Sequence, residues 1–425
     1  MENDYFGRMK TKVEETERRP VTIVAIGAGN RTNKYLEYVN RNPDKLRLVG
    51  VVELNDVRRH DIAVRYGLDA SRCFSDYKMF FSQSKVADAV MVCTPENKHF
   101  EPAILAIQKG YHVLLEKPIA RTFEECLAIC RAAEEKGVLV SVCHVLRYHP
   151  YFMKIKQLID SGGLGEVISI NHCVSVGVDR STHSFVRGMW RNEKVTNPML
   201  ISKCCHDIDL LLWLTQKRCQ KIASFGSLRW FKADNAPIGA SDRCVSCAME
   251  KHCPYSAVNL YRERREWIAN FDVLDGQTID DAIEYQLCKG LYGRCVYHCD
   301  NNVVDHQIVS MEMENAMTVN ISMDIFTLDD NRKTHICLTE GEIDGDETTL
   351  RVRRFRSLKE DVYDFSDIHH APFHAGADLS LIADFTDAIK SGRKELTTGI
   401  SQSIESHRIC FEAERSRREG CTLLL

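Results

Sequence analysis

Tyr111-His-Val-Leu-Leu-Glu-Lys117-Pro-Ile-Ala120 is the stretch whose reading decides the fold of this chain. Val113, Leu114 and Leu115 form a short unbroken apolar run, the pattern of a parallel strand covered on both faces. Charge follows at once in Glu116 and Lys117, so this pair falls at the carboxyl end of the strand. In an open α/β sheet ligands bind beyond those ends, which directs the Lys117 amine toward bound ligand. Pro118 limits the backbone after Lys117 to an extended or cis arrangement. Taken alone, the motif reads equally well as a solvated ion pair before a proline turn.

The preceding residues separate the two readings. Val21–Ile26 predicts a strand, Gly27-Ala-Gly29-Asn30-Arg31 a tight turn, and Tyr35, Leu36, Tyr38 and Val39 the apolar face of a helix. In that context Gly27, Gly29, Asn30 and Arg31 become candidate cofactor-binding residues. Gly27 permits the sharp turn, and Gly29 lets backbone N–H groups approach a pyrophosphate at the helix start. Thr32 stands where the fingerprint has its third glycine. The second strand, Leu46–Val52, ends in Glu53, whose carboxylate can bind the adenosine ribose hydroxyls and repel a 2′-phosphate. NAD is therefore expected, with NADP the weaker alternative because Arg58 and Arg59 lie close by; a solvated strand end is the plain reading of Glu53.

The alternation continues downstream. Asp88–Cys93 predicts a strand running into Thr94-Pro-Glu96, His99–Lys109 a helix stopped by Gly110, and Thr122–Glu125 a capping box for a helix ended by Gly137. Val138–Cys143 supplies another strand, followed by His144-Val-Leu-Arg147-Tyr148. The expected fold is α/β: a mobile leader over 1–19, a doubly wound parallel Rossmann sheet over 20–146, and an α+β domain over 147–425 with a large, mostly antiparallel sheet. In the second domain Val167–Val174, Lys221–Phe231, Asp305–Met313 and Met317–Met323 predict strands, with a hairpin turn at Glu314-Asn315. Arg351–Arg356 reads as a charged sheet edge. Met199–Trp213 predicts a helix that brings Lys203, His206 and Asp207 to one face.

Together the glycine turn, Glu53, Thr94…His99, Glu116-Lys117-Pro118, His144–Tyr148 and Cys204-Cys-His206-Asp207-Ile-Asp209 resemble the glucose-fructose oxidoreductase / inositol dehydrogenase / MocA family, essentially to the C-terminus. The resemblance implies an oxidoreductase in which Thr94, Glu96, His99, Glu116, Lys117 and Arg147 join the cofactor site. It places Lys117 beside the nicotinamide and the substrate hydroxyl and makes His206 the proton acceptor. An imidazole suits that role near neutral pH; a lysine would need burial or a neighbouring cation to depress its pKa. Many relatives carry aspartate four residues before the histidine, where this chain has Ser202 with Lys203 beside it. Lys203 is therefore a third candidate catalytic residue. A structural His206 paired with Asp207 or Asp209 is the alternative.

The segment His183-Ser-Phe-Val-Arg187-Gly-Met-Trp190 is polar and aromatic, as a sugar-binding loop would be, and His306 lies in a strand where it could reach ligand. His183, Arg187, Trp190 and His306 are the candidate substrate residues, against a surface loop and a satisfied sheet histidine. Within 240–300, Cys244-x2-Cys247-x5-Cys253 with Cys295 or Cys299 offers four thiolates for a closed structural zinc site, reduced thiols being the alternative.

The 425 residues carry a net charge of -4, which gives no electrostatic case for nucleic acid or membrane as a partner. No apolar run reaches the ~18 residues needed to span a bilayer, so a cytoplasmic protein is expected. A small-molecule sugar or polyol substrate and a homo-oligomer built through the second sheet complete the expectation. The leading function is NAD-dependent hydride transfer at a hydroxyl carbon of a sugar or cyclitol, in a cleft between the domains. The alternatives are an NAD-dependent hydrolase or lyase working by transient oxidation, and a non-catalytic NAD-binding regulator.

Overall fold

The computed structural model describes residues 19–273, 276–369 and 371–425. The expected leader lies outside the described residues, save for its last position. The chain divides into two compact units: residues up to Phe152 with the stretch 370–407, and Met153–His369 with Arg408–Leu425. The sequence had assigned everything after 146 to the second domain. The stretch 370–407 belongs to the first unit because Leu381, Ile382 and Phe385 share one core with Tyr35, Leu36 and Ile23.

The first unit is a six-stranded sheet in the order β3-β2-β1-β4-β5-β6, with β1 Val21–Ile26, β2 Leu46–Val52, β3 Cys73–Phe74, β4 Ala89–Val92, β5 His112–Leu115 and β6 Val140–Val142. Every pairing is parallel. Val113, Leu114 and Leu115 are fully buried, as their unbroken apolar run requires. The strand order reverses between β1 and β4, and the crevice at such a point is where a dinucleotide binds in this architecture. The helix Phe123–Lys136 opens on the Thr122–Glu125 capping box and stops at Gly137 in the left-handed region, as read from the sequence.

The second unit carries a nine-stranded sheet in the order β14-β13-β12-β11-β7-β10-β9-β8-β15. Its strands are β7 Val167–Ser175, β8 Cys219–Ser227, β9 His306–Met313, β10 Thr318–Asp324, β11 Arg332–Leu338, β12 Gly341–Gly345, β13 Thr349–Arg354, β14 Glu360–Asp364 and β15 Leu423–Leu424. Only β7 with β10 pairs in parallel. The arginine-rich segment is β13, paired on both sides, and the edge is β14; Leu350 and Val352 face inward while the arginines alternate outward. Among the described residues no helix is long and apolar enough to cross a membrane.

Candidate functional site

The glycine turn of the first unit is shaped by backbone crowding on one side and open space on the other. Gly27 has φ +94°, and a Cβ there would lie 2.6 Å from the Cys93 carbonyl oxygen. Gly29 precedes the helix Asn30–Arg41, and a Cβ on it would meet nothing within 4 Å. That helix has no acidic residue in its first turn and no side-chain N-cap, so its N-terminal N–H groups and positive dipole end remain fit for a phosphate. Thr32 is fully buried and donates its hydroxyl to the Gly27 carbonyl at 2.7 Å, which explains how the chain dispenses with a third glycine. Glu53 closes the turn from β2: its carboxylate accepts from Ala28 N at 2.7 Å and Asn55 N at 2.9 Å. Arg59, a residue that could have shielded a phosphate, is engaged with the Glu53 carbonyl and with Asp56. The residues present therefore fit a dinucleotide.

Beneath the turn lies a network of charge. Arg31 donates to Glu116 at 2.6 Å and Asp378 at 2.7 Å, and the Tyr35 hydroxyl donates to Glu116 at 2.6 Å. Asp378 in turn bonds His374 at 2.8 Å. Burial works against ionisation of Glu116, yet Arg31 and Tyr35 outweigh it and hold the carboxyl below its usual range. Burial likewise opposes the Asp378 charge, and His374 and Arg31 overcome it. The second Glu116 oxygen accepts from the Lys117 backbone N at 2.9 Å, and Lys117–Pro118 is cis. Lys117 itself is half-buried at the carboxyl end of β5.

The loop after β4 is held by His99, whose ring nitrogens face the Pro118 carbonyl at 2.7 Å and the Thr94 carbonyl at 3.0 Å. Thr94 donates its hydroxyl to the Lys98 carbonyl, and Glu96 is buried. Asn30 is exposed at the helix start, whereas Arg31 is turned into the ion network. Arg147 is buried and donates to the Thr397 carbonyl at 2.7 Å and to Gln402 at 3.2 Å. Its charge thus fastens the returning C-terminal stretch within the first unit.

In the second unit Lys203 and His206 lie where a π-helical turn, Leu200–Cys204, passes into the helix Cys205–Thr215. Lys203 is buried with its amine 3.2 Å from Asp330. Burial and the neighbouring Arg180 push its pKa down to about 8, against the pull of Asp330. The condition set by the sequence for a basic lysine is therefore met at Lys203. His206 is half-buried. Asp207 points away into a closed cluster, accepting from Arg332 and from His172 at 3.2 Å. Burial opposes its charge, but Arg332 and His172 keep it well below the carboxylate range.

His172, Asp330 and Arg332 were not foreseen as part of this cluster. The available signal was His172 itself, which shares the buried side of β7 with Ile170 and Val174. Arg332 and Asp330 come from β11 and the loop before it, 125 or more residues along the chain, where nothing local marks them.

His183 and Arg187, expected to line a substrate pocket, are enclosed instead. His183 stacks on Tyr292 with ring centroids 4.4 Å apart and bonds the Tyr261 hydroxyl at 3.0 Å. Burial, then Arg187, pushes its pKa down to about 4, so the ring is neutral near pH 7. Trp190 is exposed beside Phe185. His306 begins β9 half-exposed, 2.8 Å from Asp305. The zinc expectation finds no support in the geometry. Among the described residues no group of three or more His, Cys, Asp or Glu side chains forms a metal-ion site. Cys244, Cys247, Cys253 and Cys295 instead line a cavity, and Cys299 turns aside to the Cys295 carbonyl at 3.1 Å.

With this geometry in place, the chain was compared with known proteins. Residues 21–144 match the model of an oxidoreductase family with an NAD-binding Rossmann fold, GFO_IDH_MocA, and residues 152–248 match the GFO/IDH/MocA C-terminal domain. The scyllo-inositol 2-dehydrogenase (NADP(+)) IolW of Bacillus subtilis (strain 168) is 45% identical over 80 residues, 19% of this chain and 22% of that protein. Inositol 2-dehydrogenase 3 of Saccharopolyspora erythraea is 28% identical over 197 residues, 46% of this chain and 53% of that protein. The matches thus span between a fifth and about half of these relatives. The crystal structure of an inositol dehydrogenase homolog complexed with NAD+ from Azotobacter vinelandii superposes with a TM-score of 0.68 at 16% identity, covering 96% of this chain and 98% of that one. At that identity the likeness is one of fold.

Proposed function

For a chain that belongs to the GFO/IDH/MocA oxidoreductase family, we propose NAD-dependent transfer of hydride between a hydroxyl-bearing carbon of a sugar or cyclitol and the nicotinamide. The observation that carries the reading is the pairing, within one unit, of an open Gly29 turn with Lys117 at the carboxyl end of β5. A bound NAD would supply the hydride acceptor, and Gly29, the start of the helix Asn30–Arg41 and Glu53 would hold it. Glu53 with Arg59 already engaged favours NAD over NADP. Lys117 orients and polarises the substrate hydroxyl, its backbone steadied by Glu116. Within the second unit, His206 and Lys203 are the candidate proton carriers, Lys203 with a pKa of about 8 that lets it exchange protons at working pH.

Dehydrogenases acting on inositols among the relatives support the substrate class. A cytoplasmic setting, where thiols stay reduced, is part of the same reading. So is a homo-oligomer through the second sheet, on whose open face Phe225 and Ile308 lie opposite each other, 67% and 47% exposed. The test is a panel of sugars, inositols and polyols with NAD and NADP, followed by absorbance of the reduced nicotinamide. Accumulation of NADH with one substrate class supports a dehydrogenase. Substrate consumption without NADH favours transient oxidation, and no turnover with any of them removes the reading.

A further inference from the structure

Two cations of the second unit share the carboxylate of Asp330. Arg180 pairs with Oδ2, and the Lys203 amine lies 3.2 Å from Oδ1. The three side chains differ in their access to water: Arg180 and Asp330 are 36% and 34% exposed, Lys203 only 8%. Arg180 can therefore satisfy its charge in solvent, whereas the enclosed amine relies on the protein for a counter-charge. The chain fixes this arrangement from two sides. Ser175 N donates to the Asn331 carbonyl at 2.9 Å and Val178 N to the Thr327 carbonyl at 2.8 Å, so the end of β7 that leads into Arg180 is laced to the loop that carries Asp330. Lys203 itself sits in the π-helical turn Leu200–Cys204, a widened turn of the kind that gathers at functional sites.

Among the described residues, the charged groups that act on Lys203 are Arg180 from the short helix Val178–Ser181, Asp330 from the loop, Arg332 from β11 and Asp207 from its own helix. Arg332 is already committed: its guanidinium pairs with Asp207 and, at 3.5 Å, with Glu347. The Arg332–Asp207 pair is thus matched within itself, and Arg180 and Asp330 are the two groups whose charge bears on Lys203 without a closed partner set. Burial opposes the Asp330 charge, but Lys203 and Arg180 outweigh it and hold the carboxyl below its usual range. Asp330 is therefore an anion that both cations draw on.

We propose that Asp330 and Arg180 are positioning residues for Lys203: the carboxylate fixes the amine, and the competition of the guanidinium for that carboxylate decides whether the amine keeps its proton. Taking away the guanidinium withdraws a repelling charge and hands the carboxylate wholly to Lys203. Neutralising the carboxylate instead leaves the amine facing two arginines. The two changes therefore act in opposite directions on one group, which burial alone would not do. The use of the device in a reaction rests on the hydride-transfer reading, in which Lys203 carries a proton; the charge of Lys203 can be read without turnover.

The test follows the carbon-13 signal of Lys203 Cε against pH in the full-length chain carrying labelled lysine, the signal being assigned by its loss in Lys203→Met. Asp330→Asn should lower the titration midpoint of Lys203 by about one pH unit, and Arg180→Met should raise it by about as much. If Asp330→Asn fails to fold, Arg180→Met, a change at a half-buried side chain, decides by the sign of its shift. A midpoint that stays put, or one that moves the same way in both variants, would overturn the proposal. With a substrate in hand, Asp330→Asn should lower kcat with KM little changed, move the pH midpoint of kcat in step with the Lys203 signal, and be partly rescued in Asp330→Glu. A kcat profile indifferent to both variants, in a chain that turns over, would overturn the positioning role. Absence of turnover in the unmodified chain removes the hydride-transfer reading, and the Lys203 signal then decides on its own whether Asp330 and Arg180 compete.

Discussion

Arg31 in the first unit, half-buried, and Arg187 in the second, wholly buried, are satisfied in opposite ways. Arg31 is ringed by two carboxylates, Glu116 and Asp378, and by the Tyr35 hydroxyl, which burial keeps neutral. Arg187 has only carbonyls and sulfur. A buried ion pair with good geometry is self-sufficient, so the first region is complete as the polypeptide alone and can serve as a rigid base for Lys117. The second relies on neutral acceptors, the Arg294 and Tyr255 carbonyls, and leaves Arg187 Nη1 without a hydrogen-bond partner.

Four perturbations sharpen this contrast, in falling order of effect. If the Arg31 network is scaffolding for its neighbour, Lys117→Ala should lower turnover by roughly 10²-fold or more while NAD affinity, read by calorimetry, stays within several-fold. Full activity in that variant would remove Lys117 from the chemistry. Asp378→Asn should cost about 3 kcal/mol or more in urea unfolding, because it strips Arg31 of a fully buried partner; a change near zero would show that Glu116 alone suffices.

Lys203 provides another buried cation, one with a pH signature. Its pKa falls from 10.5 to about 8 in the folded chain, so between those values the unfolded chain holds more protons. Stability should rise with pH across that window by up to about 3 kcal/mol, and Lys203→Met should abolish the rise; a slope unchanged in the variant would contradict it. The smallest effect is the most telling. Arg187→Met should shift stability by no more than about 1 kcal/mol, or raise it, since a buried charge without a carboxylate partner is being removed. A large loss of stability would place Arg187 with Arg31 as a self-sufficient element.

Much of the first unit was legible because its strands are buried on both faces and read as unbroken apolar runs between capped helices. Val113–Leu115, the Thr122 cap and the Gly27 turn all fall where the residues indicated. The strands β11 and β12 were missed, and β13 was taken for an edge, since Arg332, Lys333, Arg351 and Arg353 mask a two-residue alternation that is still present in Thr334, Ile336 and Leu338. The apolar stripe of Leu381, Ile382 and Phe385 showed that one face is covered, but a stripe does not say by what. For the candidate site, the turn glycines, Glu53 and Lys117 could be picked out because the signals that mark them as candidates are local. His183 and Arg187 were misplaced because polar and aromatic residues serve an enclosed cluster as readily as a ligand, and only three-dimensional neighbours tell the two apart.

The return of residues 370–407 to the first unit bears on any attempt to dissect the molecule. A fragment ending at Phe152 would keep every strand of the Rossmann sheet but lose Leu381, Ile382 and Phe385, baring the apolar flank of the helix Asn30–Arg41. Such a piece should clump on expression. Splicing 370–407 back through a short linker offers the simplest route to a well-behaved nucleotide-binding half.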